Sequence, residues 1–117
     1  MKKYRHSPFD EELCEAMIVH NKDKPSSEKF TLVDARIISL IHSYSYSNTP
    51  FYASNEYLAK KCFTTAATVQ KSINRLYNHE LINKEVSCTN GKKQRILSYN
   101  EQSSNEFKEK YKIKNDT

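Results

Sequence analysis

The stretch from Ser54 to Tyr99 constrains this chain most, because its caps, turns and apolar spacings follow one another in a fixed order. Ser54-Asn55-Glu56 reads as the start of a short helix running to about Lys61, with Tyr57, Leu58 and Cys62 available to an interior. Cys62-Phe63-Thr64 makes a tight turn, and Thr65 caps a second helix from Ala66 to about His79. Val69, Ile73 and Leu76 recur at spacings of four and three, so they share the inward face of that helix. Its outward face carries Ala66, Ala67, Gln70, Lys71, Asn74 and Asn78, with Arg75 on the flank and no acid before Glu80. Leu81–Val86 and Arg95–Tyr99 then read as two strands around a loop, Ser87–Gln94. Asn90-Gly91 supplies the left-handed residues of a hairpin tip, and Gly91 is the only glycine in the chain.

Charge singles out the same stretch. The net charge is +5, and residues 1–30, 31–53 and 100–117 are each neutral by count. Residues 54–99 hold eight Lys/Arg against three Asp/Glu, so the whole excess lies there. The predominance of lysine over arginine, beside abundant Asn, Ile and Tyr, also fits AT-rich codons.

The rest of the chain supplies a modest core and polar ends. With 117 residues and 37% hydrophobic content, one domain is expected. No apolar run approaches the roughly 20 residues of a membrane span. The basic start Met1-Lys2-Lys3-Tyr4-Arg5 lacks the apolar segment of a signal peptide, so a cytoplasmic location is expected. Ser7-Pro8-Phe9-Asp10 resembles a helix start, with Leu13, Cys14, Met17 and Ile18 at helical spacing through about His20; a short strand over Ala16–His20 is the rival. Asn21–Glu28 is a linker by composition. Thr31 caps a central helix whose apolar line is Leu32, Ala35, Ile38 and Ile41, flanked by Ile37, Leu40 and Tyr44. Pro50–Ala53 reads as a short edge strand. Residues 100–117 read as a polar tail, with a short helix over Ser104–Tyr111 built on Phe107 and Tyr111. The expected division is therefore residues 1–29 as an N-terminal helix and linker, 30–99 as the main domain, and 100–117 as the tail. The fold class is mainly α with a small β-hairpin, an α+β arrangement.

The run Tyr52-Ala53-Ser54-Asn55-Glu56-Tyr57-Leu58-Ala59-Lys60, followed by Thr65–Leu76 and Leu81-Ile82, resembles bacterial winged helix-turn-helix domains. The likeness is closest to those at the front of plasmid and phage replication initiators and to small winged-helix repressors. It covers about residues 30–99 and is most specific at Ser54-Asn55-Glu56-x-Leu58-Ala59 and Thr68-Val69-Gln70. The resemblance implies that Thr65, Ala66, Ala67, Thr68, Gln70 and Lys71 face the major groove and that Lys92 and Lys93 stand in the wing. Two positions depart from the pattern. Phe63 stands where the turn usually has glycine, so it either adopts a positive φ or belongs to a different turn. Ala66-Ala67 replaces residues that are often basic; alanine can meet a thymine methyl but cannot hydrogen-bond a base.

The function expected is sequence-specific binding to double-stranded DNA, controlling transcription or replication of a bacterial mobile element such as a plasmid, phage or conjugative element. Gln70 and Asn74 are the candidates for base edges, since amides suit adenine. Lys71, Arg75, Lys92, Lys93 and Arg95 would neutralise phosphates, and Thr64, Thr65 and the first N–H groups of the helix would position it. A homodimer is expected, joined through the N-terminal helix and the tail, because one such domain binds weakly. The rival readings are a protein-interaction module carried by exposed Tyr and Phe residues, and the N-terminal piece of a longer initiator. No catalytic role is expected, because no nucleophile–base pair is in view, and Asp10-Glu11-Glu12 suits a helix start. Cys14, Cys62 and Cys88 form no metal pattern with the histidines, and neither a metal, a cofactor nor a small-molecule substrate is implied.

Overall fold

A computed structural model of the chain describes residues 11–112. Its order is α1 (Glu11–Asn21), a 3-10 turn (Ser26–Glu28), α2 (Leu32–Tyr46), α3 (Asn55–Lys61), α4 (Ala66–Asn78), β1 (Ile82–Thr89), β2 (Lys92–Tyr99) and α5 (Glu101–Lys110). The described residues are thus mainly helical with one two-stranded antiparallel sheet.

Helix α2 is the centre, and its start is fixed twice. Thr31 Oγ1 accepts the Asp34 N–H at 3.1 Å, and Asp34 Oδ2 accepts the Thr31 N–H at 2.9 Å, which closes a capping box. Ile37, Ile38 and Ile41 are buried and meet Val69, Ile73 and Leu76 of α4 in one continuous core. Leu32 departs from the expected apolar line: as the first residue of α2 it lies beyond the core edge and is 88% exposed. Tyr44 stacks on Phe51 at 4.2 Å. Phe51 in turn accepts the Leu97 N–H at 3.1 Å, so the expected edge strand is a single bridge to β2.

Three helices end in the same way without glycine. Asn48, Phe63 and Glu80 follow α2, α3 and α4 with φ of 59°, 54° and 61°. After each, the next N–H reaches back to the helix: Thr49 to Tyr44, Thr64 to Ala59 and Leu81 to Leu76, at 2.9–3.0 Å. These are Schellman-type closures, in which the left-handed residue lets orphan carbonyls find donors. Phe63 therefore does adopt the positive φ that the turn demands.

Ser54 Oγ accepts the Tyr57 N–H at 3.1 Å and Thr65 Oγ1 the Thr68 N–H at 3.2 Å, so α3 and α4 begin where their caps predict. Leu58 enters the core, whereas Tyr57, expected inside, is exposed. The expected loop Ser87–Gln94 is replaced by longer strands. Asn90 and Gly91, with φ of 53° and 76°, form a two-residue turn, and pairing continues up to Thr89↔Lys92. Two left-handed residues give a turn whose twist matches the strands, so the ladder has no reason to open earlier.

The ends of the described chain meet. Asn100 Oδ1 accepts the Ser103 N–H at 3.1 Å, starting α5 at Glu101 rather than at Ser104. α5 packs on α1, and Phe107, Leu13, Ala16 and Met17 belong to the same core as α2 and α4. The short helix expected within the polar tail is therefore longer, Glu101–Lys110, and docked. α1 and α5, the segments expected to join two chains, pack on each other within one and leave their outer faces exposed. The region of α1 is helical rather than extended, Ile18 is exposed on its outer side, and the proposed cap at Ser7-Pro8 lies outside the described residues.

Candidate nucleic-acid interface

The outward face of α4 is set by the burial of Val69, Ile73 and Leu76 on the opposite side. Ala67, Lys71, Asn74 and Asn78 are exposed, and Ala66, Thr68 and Gln70 are half-buried. Thr65 is exposed at the start of the helix and Thr64 half-buried in the turn before it. Thr65 Oγ1 also lies 3.1 Å from Thr68 Oγ1, so the first turn is closed by two hydroxyls.

An amide chain crosses this face. Asn55 Nδ2 donates to Gln70 Oε1 at 2.8 Å, and Gln70 Nε2 donates to Asn74 Oδ1 at 2.9 Å. Gln70 is thus held at both ends of its amide, while Asn74 keeps its Nδ2 donors toward solvent. Asn55 is not legible as a site residue in the sequence, because its position just after the Ser54 cap marks it only as a helix-start residue.

The two arginines expected to meet phosphates are fastened into the fold. Arg75 Nη1 donates to Asp34 Oδ1 at 2.8 Å and to Oδ2 at 2.7 Å, with the carboxylate fully buried and the guanidinium side chain 18% exposed. The same Oδ2 closes the α2 capping box, so one carboxylate serves both elements. Arg95 Nη2 donates to the Ala53 carbonyl at 2.7 Å. Burial pulls the Arg95 pKa below the usual arginine value, and Glu56 acts in the opposite sense. Lysines are differently placed. Lys71, Lys92 and Lys93 are exposed, and Lys84 Nζ sits 4.4 Å from the Tyr77 ring centroid, tying β1 to α4. Lys93 shares the hairpin face of Arg95 and buried Leu97, and Lys92 points to the other face.

Beside the second half of α4 runs an open groove of about 940 Å³. Lys71, Asn74 and Asn78 form one wall, and Lys24, Glu28, Glu106 and Lys110 stand across from them. At its floor His20 and His79 lie edge to face at 5.1 Å, with Phe30, Phe107 and Tyr111 around them. Burial is the main reason both imidazoles have pKa values below the ordinary 6.5. Lys110 joins this wall because α5 docks on α1, a juxtaposition with no local signal in the sequence.

Among the described residues, no group of three or more His, Cys, Asp or Glu could hold a metal ion. None of their helices is long and apolar enough to cross a membrane. Cys14, Cys62 and Cys88 are not joined in disulfides. Comparisons with protein-family models, with curated proteins and with solved structures found no match.

Proposed function

We propose that residues 30–99 form a winged helix-turn-helix that binds duplex DNA, with α4 in the major groove and the β1–β2 hairpin as the wing. On this reading the chain controls transcription or replication, most simply by occluding a promoter or origin of a mobile element. The observation that carries it is the exposed face of α4: Lys71, Asn74 and Asn78 stand at solvent with no carboxylate among them until Glu80. A surface helix with no binding role more often alternates acids with its lysines.

The geometry redistributes the roles. Asn74 is the base-edge candidate, because its amide donors are free, and Gln70 orients it from behind. Arg75 and Arg95 act as struts, which leaves Lys71, Lys92 and Lys93 for phosphates, with Thr65 and the first N–H groups of α4 fixing the register. The test is the salt dependence of binding to a duplex selected from random sequence. Three phosphate contacts give a slope of log K against log salt of about −2.7, where five would give roughly −4.5. Lys71→Ala should remove about one unit of slope, and Asn74→Ala should relax base preference while leaving the slope alone. A slope near zero would exclude the proposal.

A further inference from the structure

Two large apolar side chains stand almost wholly in solvent beside one groove that Lys71, Lys92 and Lys93 do not line. Phe63 is 95% exposed and Leu32 88%. They border a groove of about 640 Å³ between the outer stripe of α2 and the α3–α4 turn, whose walls include Val33, Leu40 and Cys62. Arg36 and Lys61 also line it, and no carboxylate does. Phe63 is unfavourable twice over. Its φ of 54° belongs to the region glycine tolerates, and its ring buries almost nothing within the chain. Glycine would remove both penalties, so the aromatic side chain has its use outside the isolated molecule.

The lining specifies its occupant: an apolar side chain carried among carboxylates on a convex support. The described chain offers one such ridge. On the solvent side of α1, Glu11, Glu15 and Ile18 recur at helical spacing and are all exposed, Ile18 by 62%. Glu12 stands on the flank, where with Glu15 it borders Lys108 of α5 and Lys112. Lys22, a turn beyond Ile18, and Asp23 beside it are also exposed. We propose that this ridge of one copy docks into the α2–turn groove of a second copy, so that the chain associates head to tail. A two-fold meeting of two grooves would instead crowd two Arg36 and two Lys61 side chains together, which opposes it. A head-to-tail contact leaves a free groove at one end and a free ridge at the other, so association continues beyond two copies until a ring closes.

Sedimentation velocity on the full chain over a range of concentrations tests this. The wild-type coefficient should rise past that of a dimer, and the rise should weaken with added salt. Phe63→Asp alone and Ile18→Lys alone should each stay monomeric, whereas an equimolar mixture should form a dimer that grows no further. In that mixture the first variant contributes its ridge and the second its groove. Phe63→Gly should raise the melting temperature yet weaken association at least tenfold, which separates loss of contact from loss of fold. A wild-type chain monomeric at every concentration, a mixture without dimer, or association that survives Phe63→Asp would each overturn the proposal.

Discussion

The α3–α4 pair and the α1–α5 pair are both two helices packed together, yet they are held by different physics. α3 and α4 are separated by a four-residue connection and started by their own caps, Ser54 and Thr65. Their attachment to α2 adds one buried ion pair, Arg75–Asp34. α1 and α5 come from opposite ends of the described chain and meet over a cluster of rings: His20, Phe30, His79, Phe107 and Tyr111. α5 is a polar ten-residue segment whose buried side chains are Ser104 and Phe107, too short to persist without its partner. The front pair is specified locally, packed through Leu58, Val69, Ile73 and Leu76 and tied to α2 by one ion pair; the back pair is specified by docking and closed by aromatic and imidazole contact.

Breaking the front pair's tie to α2 should have the largest effect. Asp34→Ala leaves Arg75 without its carboxylate and opens the α2 capping box, a loss of about 3–5 kcal/mol in urea unfolding monitored by circular dichroism. A loss below about 1 kcal/mol would mean that charge does not hold this side. Next comes Phe107→Ala, expected to cost about 2–3 kcal/mol, at or below the lower end for buried aromatics because the ring sits at the core margin. Hydrogen exchange should show the amides of α5 and α1 losing protection while those of α4 keep theirs, which would sharpen the contrast.

The smallest effect expected is with pH, and it centres on His20 and His79, where the end of α4 meets the back pair. His20 and His79 have lowered pKa values, chiefly through burial, so the folded chain binds their protons less readily than the unfolded chain. Their contribution is complete above the ordinary value of 6.5 and is lost as pH falls through the folded values. Lys24, Lys110 and Arg75 reinforce the shifts, while Glu28 and Asp34 oppose them. Melting temperature should therefore decline as pH drops below about 6.5, and His20→Phe with His79→Phe should flatten that decline. An unchanged slope in the double variant would place the titration elsewhere.

The same contrast explains what residue order makes legible. Caps at Thr31, Ser54 and Thr65, the inward triad Val69, Ile73 and Leu76, and the Asn90-Gly91 tip are short-range signals, and the structure places each as expected. Sequence puts Arg75 and Arg95 at an outer surface because nothing near them announces Asp34 or the Ala53 carbonyl, 41 and 42 residues away. Leu32 and Ile18 fit helical spacing, but spacing does not say where the neighbouring layer stops. The expected start of α5 falls three residues late because Asn100 gives no strong sign of being its cap. Its role is illegible because a polar helix acquires one only by docking.

The hairpin has a mechanical consequence of its own. Among the described residues its outermost side-chain bond to the body is Arg95 on Ala53, and beyond it the pairs Ser87↔Gln94, Cys88↔Lys93 and Thr89↔Lys92 carry the ribbon outward. That cantilever is about 10 Å long at the usual rise per strand residue. Its reach can change only in steps. Excising one residue from each strand would turn Lys92 and Lys93 over to opposite sides, whereas excising two would keep their sides and retract them by about 7 Å.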